Sequence, residues 1–124
     1  MITMYNASAE QYLDEFTCED IGLNSLAVDD TLLNMWRFQI PQWKAHGYKV
    51  KQLERIFEFT SYMNALEFIN SVALLADVEQ HHPTIQIGKF KLSYLVTITW
   101  FTPDVNGISM NDLIMAAKTD CAYI

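Results

Sequence analysis

Residues 60–83 read TSYMNALEFINSVALLADVEQHHP, and the fold turns on this stretch. Thr60 or Ser61 supplies the side-chain oxygen that a helix N-cap needs. From there Tyr62, Ala65, Ile69, Val72, Ala73 and Ala76 recur at three- and four-residue spacing, the period of an amphipathic helix. No Gly or Pro interrupts the pattern before Pro83. The residue preceding a proline avoids helical geometry, so the helix is expected to end near Glu79 and to release His81 and His82. Leu66, Phe68, Leu74 and Leu75 fall off the main stripe. That is more apolar surface than one sheet face needs, and it predicts an interface.

Downstream, Thr84 to Phe90 reads as a strand with Gly88 as its bulge. Leu92 to Trp100 alternates more clearly: Leu92, Tyr94, Val96, Ile98 and Trp100 share one face, and Ser93, Leu95, Thr97 and Thr99 the other. Pro103 to Gly107 is a turn. Ser109-Met110-Asn111-Asp112 has the spacing of a capping box, with Asp in the place of Glu, and opens a final helix to about Ala122. Upstream, Trp43 to His46 and Val50 to Phe59 read as two strands around Gly47. Asp29 or Asp30 caps a helix to about Phe38, with Leu32, Leu33 and Trp36 as its stripe, and Pro41 follows. The order is α-β-β-α-β-β-α. Strands joined by short turns predict an α+β fold, a four-stranded antiparallel sheet with helices packed on one face.

The chain divides into an acidic N-terminal extension, residues 1–28, and one domain, residues 29–124. In the extension, Ser8 to Phe16 has the pattern of a short helix. Seven acidic residues precede the first basic one, Arg37, and predict a solvated, partly mobile segment. The formal net charge of -7 is a poor match to nucleic acid or to an anionic membrane. No apolar run is long enough to span a bilayer, and no secretory signal opens the chain, so a cytoplasmic protein is expected. The two cysteines, Cys18 and Cys121, lack metal-type spacing and read as free thiols.

His81 and His82 are the residues best suited to chemistry. Neutral imidazole gives or takes a proton near physiological pH. Adjacent histidines leaving a helix point in different directions, and Asp77 lies one turn earlier, placed to hold an imidazole in one tautomer. A helix-end histidine pair is also a common surface feature, favoured by the dipole. His46 reads as a surface residue beside a turn. A zinc site from His81, His82 and a carboxylate is disfavoured, because adjacent rings rarely ligate one ion and the helical i, i+4 pair is absent.

The wider spacing is more specific. Asp77 is followed by three residues and then His81-His82-Pro83; Phe90, Trp100 and Asp112 complete the series. The preceding helix with Tyr62, Ala65, Phe68, Val72, Ala73 and Ala76, the strand Leu53 to Phe59, and Gly107-Ile108-Ser109 with Asp112-Leu113 extend the likeness across roughly residues 32–120. This pattern resembles the pterin-4a-carbinolamine dehydratase family.

The resemblance implies dehydration of a 4a-hydroxytetrahydropterin to the quinonoid dihydropterin, within tetrahydrobiopterin recycling. It implies His81 and His82 as the acid and base, in either order. Asp77 would orient, Thr99 would contact the ring, and Trp100 and Pro83 would line the substrate site. No metal or redox cofactor is needed for these proton transfers. A homodimer or homotetramer is implied as well. Two positions depart from the common pattern: Trp100 stands where many members carry a third His, and Phe101 where an acidic residue often follows. Tryptophan cannot carry a proton usefully, although its ring can stack on a pterin. Simple core packing is the other reading of Trp100. A non-catalytic member that binds another protein, as an assembly or dimerisation factor, is the alternative function.

Overall fold

The structure, a computed structural model, describes residues 11–20, 25–47 and 49–123. Its elements are α1 (Asp30–Trp36), β1 (Lys44–His46), β2 (Gln52–Phe59), α2 (Tyr62–Glu79), β3 (Thr84–Phe90), β4 (Ser93–Trp100) and α3 (Met110–Ala122). Short 3-10 turns cover Leu13–Glu15, Arg37–Gln39 and Pro103–Val105. The strands form one antiparallel sheet in the order β1-β2-β4-β3, as the α+β reading requires.

Alternation sets what each strand contributes. Leu53, Phe57, Val96, Ile98 and Trp100 are buried on one face. Register places Leu53 beside Trp100 and Phe57 beside Val96. The helices pack on this face. Arg55 shares it, which explains the imperfect pattern of β2: its guanidinium lies 4.3 Å over the Phe57 ring and donates to Asp120 Oδ1 at 2.7 Å. Trp43 Nε1 donates to the same oxygen at 2.8 Å. Burial pushes the Asp120 carboxyl up, and these two donors hold it down. Ile56, the apolar residue out of phase, is 55% exposed on the other face.

α3 is the central helix. Every residue from Met110 to Ala117, and Thr119, is buried. Its Ser109–Asp112 capping box forms as the spacing predicts. α2 is amphipathic, but its buried residues are Ala65, Phe68, Val72 and Ala76. Phe68 therefore belongs to the core, while Tyr62 is 49% exposed and Ala73 is exposed. The three- and four-residue spacing allows either stripe. Phe68, with no hydroxyl to keep in water, takes the inner position, against Phe57 and Phe59 at centroid distances of 4.7 and 5.3 Å.

Two strand readings are corrected. Gly88 is not a bulge: the β3–β4 register runs unbroken from Thr84↔Thr99 to Phe90↔Ser93, with Gly88 opposite Leu95. Leu92 is not on the inner face. It sits in the turn before β4 and is 90% exposed, while its neighbour Lys91 takes a left-handed conformation (φ 57). Gly47 does carry a backbone requirement. Its φ is 137, and a Cβ there would lie 1.9 Å from the Val50 carbonyl oxygen.

Residues 11–20 of the N-terminal segment are docked rather than solvated. Leu13 is fully buried, and Phe16 meets Trp36 edge-on at 6.3 Å. Of the expected helix from Ser8 to Phe16, residues 8–10 lie outside the described residues, and among the described ones only the turn Leu13–Glu15 is helical. No helix among the described residues is long and apolar enough to cross a membrane.

Candidate active site

α2 ends in a turn that aims the two histidines. Gln80 adopts a left-handed conformation, φ 54. Its N–H donates to Asp77 O at 3.3 Å, and the N–H of His81 donates to Ala76 O at 3.1 Å. This is a Schellman closure built on glutamine rather than glycine. A side chain in that conformation costs about 1 kcal/mol. A hydrogen bond from Gln80 Nε2 to Asp77 O, 2.6 Å, offsets part of the cost. Pro83 then holds His82 extended, and successive side chains on extended chain diverge.

His81 turns inward. Its side chain is 13% exposed, and Nε2 lies 2.5 Å from Oδ1 of Asp112, which is fully buried. The other oxygen of Asp112 accepts from Ser109 N at 2.8 Å and from Thr102 Oγ1 at 2.7 Å. One carboxylate thus caps α3 with one oxygen and grips an imidazole with the other. Trp100 backs the same ring: His81 and Trp100 stack at 5.6 Å between centroids and 15° between planes. The Trp100 N–H is spent on Thr119 Oγ1 at 3.1 Å, and Trp100 is fully buried. Its place in this structure is behind His81, in the core.

His82 turns outward. Its side chain is 57% exposed, and Nε2 lies 2.8 Å from Oδ1 of Asp77, itself 75% exposed. Asp77 therefore partners His82, the more distant of the two in sequence. A carboxylate can only accept, so in both pairs the imidazole Nε2 carries the hydrogen. In both, Nδ1 is then left with a lone pair, able to take a proton, or to give one once protonated. The pairs differ in setting: the Asp112 pair is sheltered and its geometry fixed by several bonds, while the Asp77 pair is open to solvent.

Thr99 projects from the outer face of the sheet, beside Glu54 and Thr84 in register and opposite in side to Trp100. Pro83 is half-buried. The structure thus brings His81, Trp100 and Asp112 together, pairs His82 with Asp77, and sets Thr99 apart on the far face. Asp112 is the residue that sequence reasoning passed over as a participant. Its capping-box spacing accounts for one carboxylate oxygen, and nothing in that spacing signals the second. Thr102 carried no signal of its own.

Two clefts lie elsewhere. One of about 840 Å³ is lined by residues of the 25–35 segment, including Leu26, Val28, Leu32 and Met35. Another of about 500 Å³ lies between α1 and the β1–β2 turn. Neither contains a histidine, the side chain suited to proton transfer near neutral pH. Among the described residues, no group of three or more His, Cys, Asp or Glu converges as metal ligands would.

Residues 25–122 match the family model described as Pterin 4 alpha carbinolamine dehydratase. A relative from Syntrophotalea carbinolica, named "Putative pterin-4-alpha-carbinolamine dehydratase", is 38% identical over 109 residues, covering 87% of this chain and 94% of the relative. A relative of the same name from Vibrio vulnificus is 34% identical over 109 residues, covering 87% of this chain and 96% of its own. The crystal structure of a transcriptional coactivator/pterin dehydratase from Brucella melitensis shares the fold, with a TM-score of 0.68 at 23% identity, over 79% of this chain and 99% of that one.

Proposed function

Because the chain belongs to the pterin 4 alpha carbinolamine dehydratase family, we propose that it removes water from a 4a-hydroxytetrahydropterin to give the quinonoid dihydropterin, as a step of tetrahydrobiopterin recycling. One imidazolium gives its Nδ1 proton to the C4a hydroxyl, which leaves as water. The other imidazole takes the N5 proton at its Nδ1, and the electron pair released forms the C4a–N5 double bond. The acid has lost a proton and the base has gained one, so a single transfer through solvent restores both. His81 and His82 fill these roles in either order. The observation that carries this reading is that each imidazole has its Nε2 tied to a carboxylate, which leaves Nδ1 as the reactive atom.

Asp77 and Asp112 orient the two rings, and Pro83 sets their divergence. Trp100 acts as the wall behind His81, and Thr99, on the outer face of the sheet, takes no part beside it. The catalytic unit is residues 29–124, preceded by the acidic extension 1–28, and the protein works in the cytoplasm as a homo-oligomer. Met63, Leu74 and Val78, exposed on α2 at 63%, 70% and 78%, are the surface for that assembly. Light scattering at micromolar concentration reads it directly, and a monomer contradicts it.

The test of activity is a hydroxylase-coupled assay, with quinonoid dihydropterin formation followed against the spontaneous rate. Acceleration proportional to added protein is the expected result. Buried Trp100, in the place of a third histidine, favours one other reading: a member that binds a protein partner and leaves the pterin rate at its spontaneous value.

A further inference from the structure

Cys18 and Glu19, which precede the family-matched region, lie beside the two elements that carry the His81–Asp112 pair. Cys18 N–H donates to Glu79 Oε1 at 2.7 Å, and Glu79 is the last residue of α2. The next residue, Glu19, is clamped in both directions by the Asn111 amide. Its N–H donates to Asn111 Oδ1 at 3.0 Å, and its carbonyl accepts from Asn111 Nδ2 at 2.7 Å. Asn111 is 5% exposed and adjoins Asp112. Glu79 stands two residues before His81, and its second oxygen lies 3.8 Å from Lys118 Nζ on α3. Two consecutive residues of the segment thus join the C-terminal end of α2 to the N-terminal end of α3.

The segment is itself anchored upstream. Leu13 is fully buried, its N–H donates to Gln39 Oε1 at 2.8 Å, and Gln39 Nε2 donates to Gln11 O at 2.6 Å. His81 and Asp112 sit on different elements, so their contact holds only while the two helix ends keep their separation. A misplacement of about 1 Å at a reacting group can cost 10² in rate.

We propose that Asn111 and Glu79 are positioning residues, which use residues Cys18 and Glu19 as a clip to hold the His81–Asp112 pair in register. This rests on the reading of His81 as a catalytic group, but the geometry can be tested without activity. The probe is the His81 ring N–H, observed by proton NMR in the full-length protein. The hydrogen bond to buried Asp112 predicts a downfield signal that exchanges slowly with water, assigned by its loss in His81→Ala.

In Asn111→Ala the clip loses both bonds to Glu19. The His81 ring signal should broaden or exchange at least tenfold faster, while circular dichroism stays native. In the pterin assay kcat should fall about tenfold with KM within about twofold, the split expected of a misplaced proton carrier. Asn111→Asp, which keeps one acceptor for the Glu19 N–H, should restore part of the signal. Gln39→Ala, which loosens the clip from its upstream anchor, should give a weaker form of the same change. An unaltered ring signal in folded Asn111→Ala overturns the proposal, whatever the activity. A parent protein with no pterin activity refutes the catalytic reading of His81, and the ring signal still decides the clip.

Discussion

His81 Nε2 and Asp112 Oδ1 lie 2.5 Å apart across a separation of 31 residues, and the same carboxylate caps the helix on which it sits. On the proposed function, fold and chemistry share one side chain. Asp112→Ala should remove the cap and strand the Ser109 N–H, Thr102 and His81, destabilising the protein by about 3 kcal/mol or more. Asp112→Asn keeps an acceptor but offers an N–H₂ at one of the two sites. If the amide nitrogen faces His81, the ring must present a lone pair there and give up the tautomer that leaves Nδ1 basic. Turnover of Asp112→Asn should fall by about 10², with a loss of stability well below that of the alanine variant. Thermal denaturation and the coupled assay at equal folded fraction separate the two effects. Equal turnover in parent and Asp112→Asn would show that the carboxylate has no part in proton transfer.

Trp100 offers a contrast of sign. A ligand-stacking tryptophan replaced by histidine should gain a proton carrier and raise turnover. The structure has Trp100 fully buried, with its N–H on Thr119 and its ring against His81. Trp100→His should leave a void behind His81 and lower stability by about 2–4 kcal/mol, with turnover falling at equal folded fraction. A rise in turnover would mean that the ring reaches substrate after all.

The paired strands, α2 and the His81-His82-Pro83 break were legible because each rests on local rules: alternation, helical period and the exclusion of helix before proline. What was hidden depends on partners distant in sequence. Spacing alone does not decide whether Phe68 or Tyr62 flanks the stripe of Ala65, Val72 and Ala76, and the rings of Phe57 and Phe59 decide it. Arg55 looks like a flaw in β2 until Asp120 is seen beneath it. Gly88 suggests a bulge by composition, yet it lies on the outer face with open space where a Cβ would be, so no bulge is required. The docking of residues 11–20 was only partly legible: Leu13 and Phe16 are apolar, but the rest is made by backbone groups reaching Glu79, Asn111 and Gln39. In the site, the two histidines stood out by type and spacing. Asp112 also fitted the pattern, but the capping box was a sufficient explanation for it.

Gln80 holds a left-handed conformation that glycine adopts without penalty. Gln80→Gly should raise stability by up to about 1 kcal/mol, less whatever the lost Nε2 bond to Asp77 contributed. The change is read as a shift in the midpoint of urea unfolding. A loss greater than about 1 kcal/mol would show that the side-chain bond outweighs the backbone strain.

Burial, followed by the charge of Glu79, pushes the Cys18 thiol up from 9.0 to about 12. At pH 8 its thiolate fraction is about 10⁻⁴, so iodoacetamide should spare Cys18 in the folded protein. Between pH 9 and 12 the unfolded chain has released a proton that the folded chain retains. Stability therefore falls as pH rises through that window. Cys18→Ala should show a shallower alkaline decline in urea-unfolding free energy between pH 8 and 10.5 than the parent. Identical slopes would place the thiol in solvent.

If paired imidazoles move the two protons of the dehydration, removing either should slow it. The direct measurement is the rate of quinonoid dihydropterin formation with the parent protein, His81→Ala, His82→Ala and the double variant, each verified as folded. Acceleration by the parent is expected, with a loss of about 10² or more in each single variant and a double variant at the spontaneous rate. A double variant that matches the parent would contradict it.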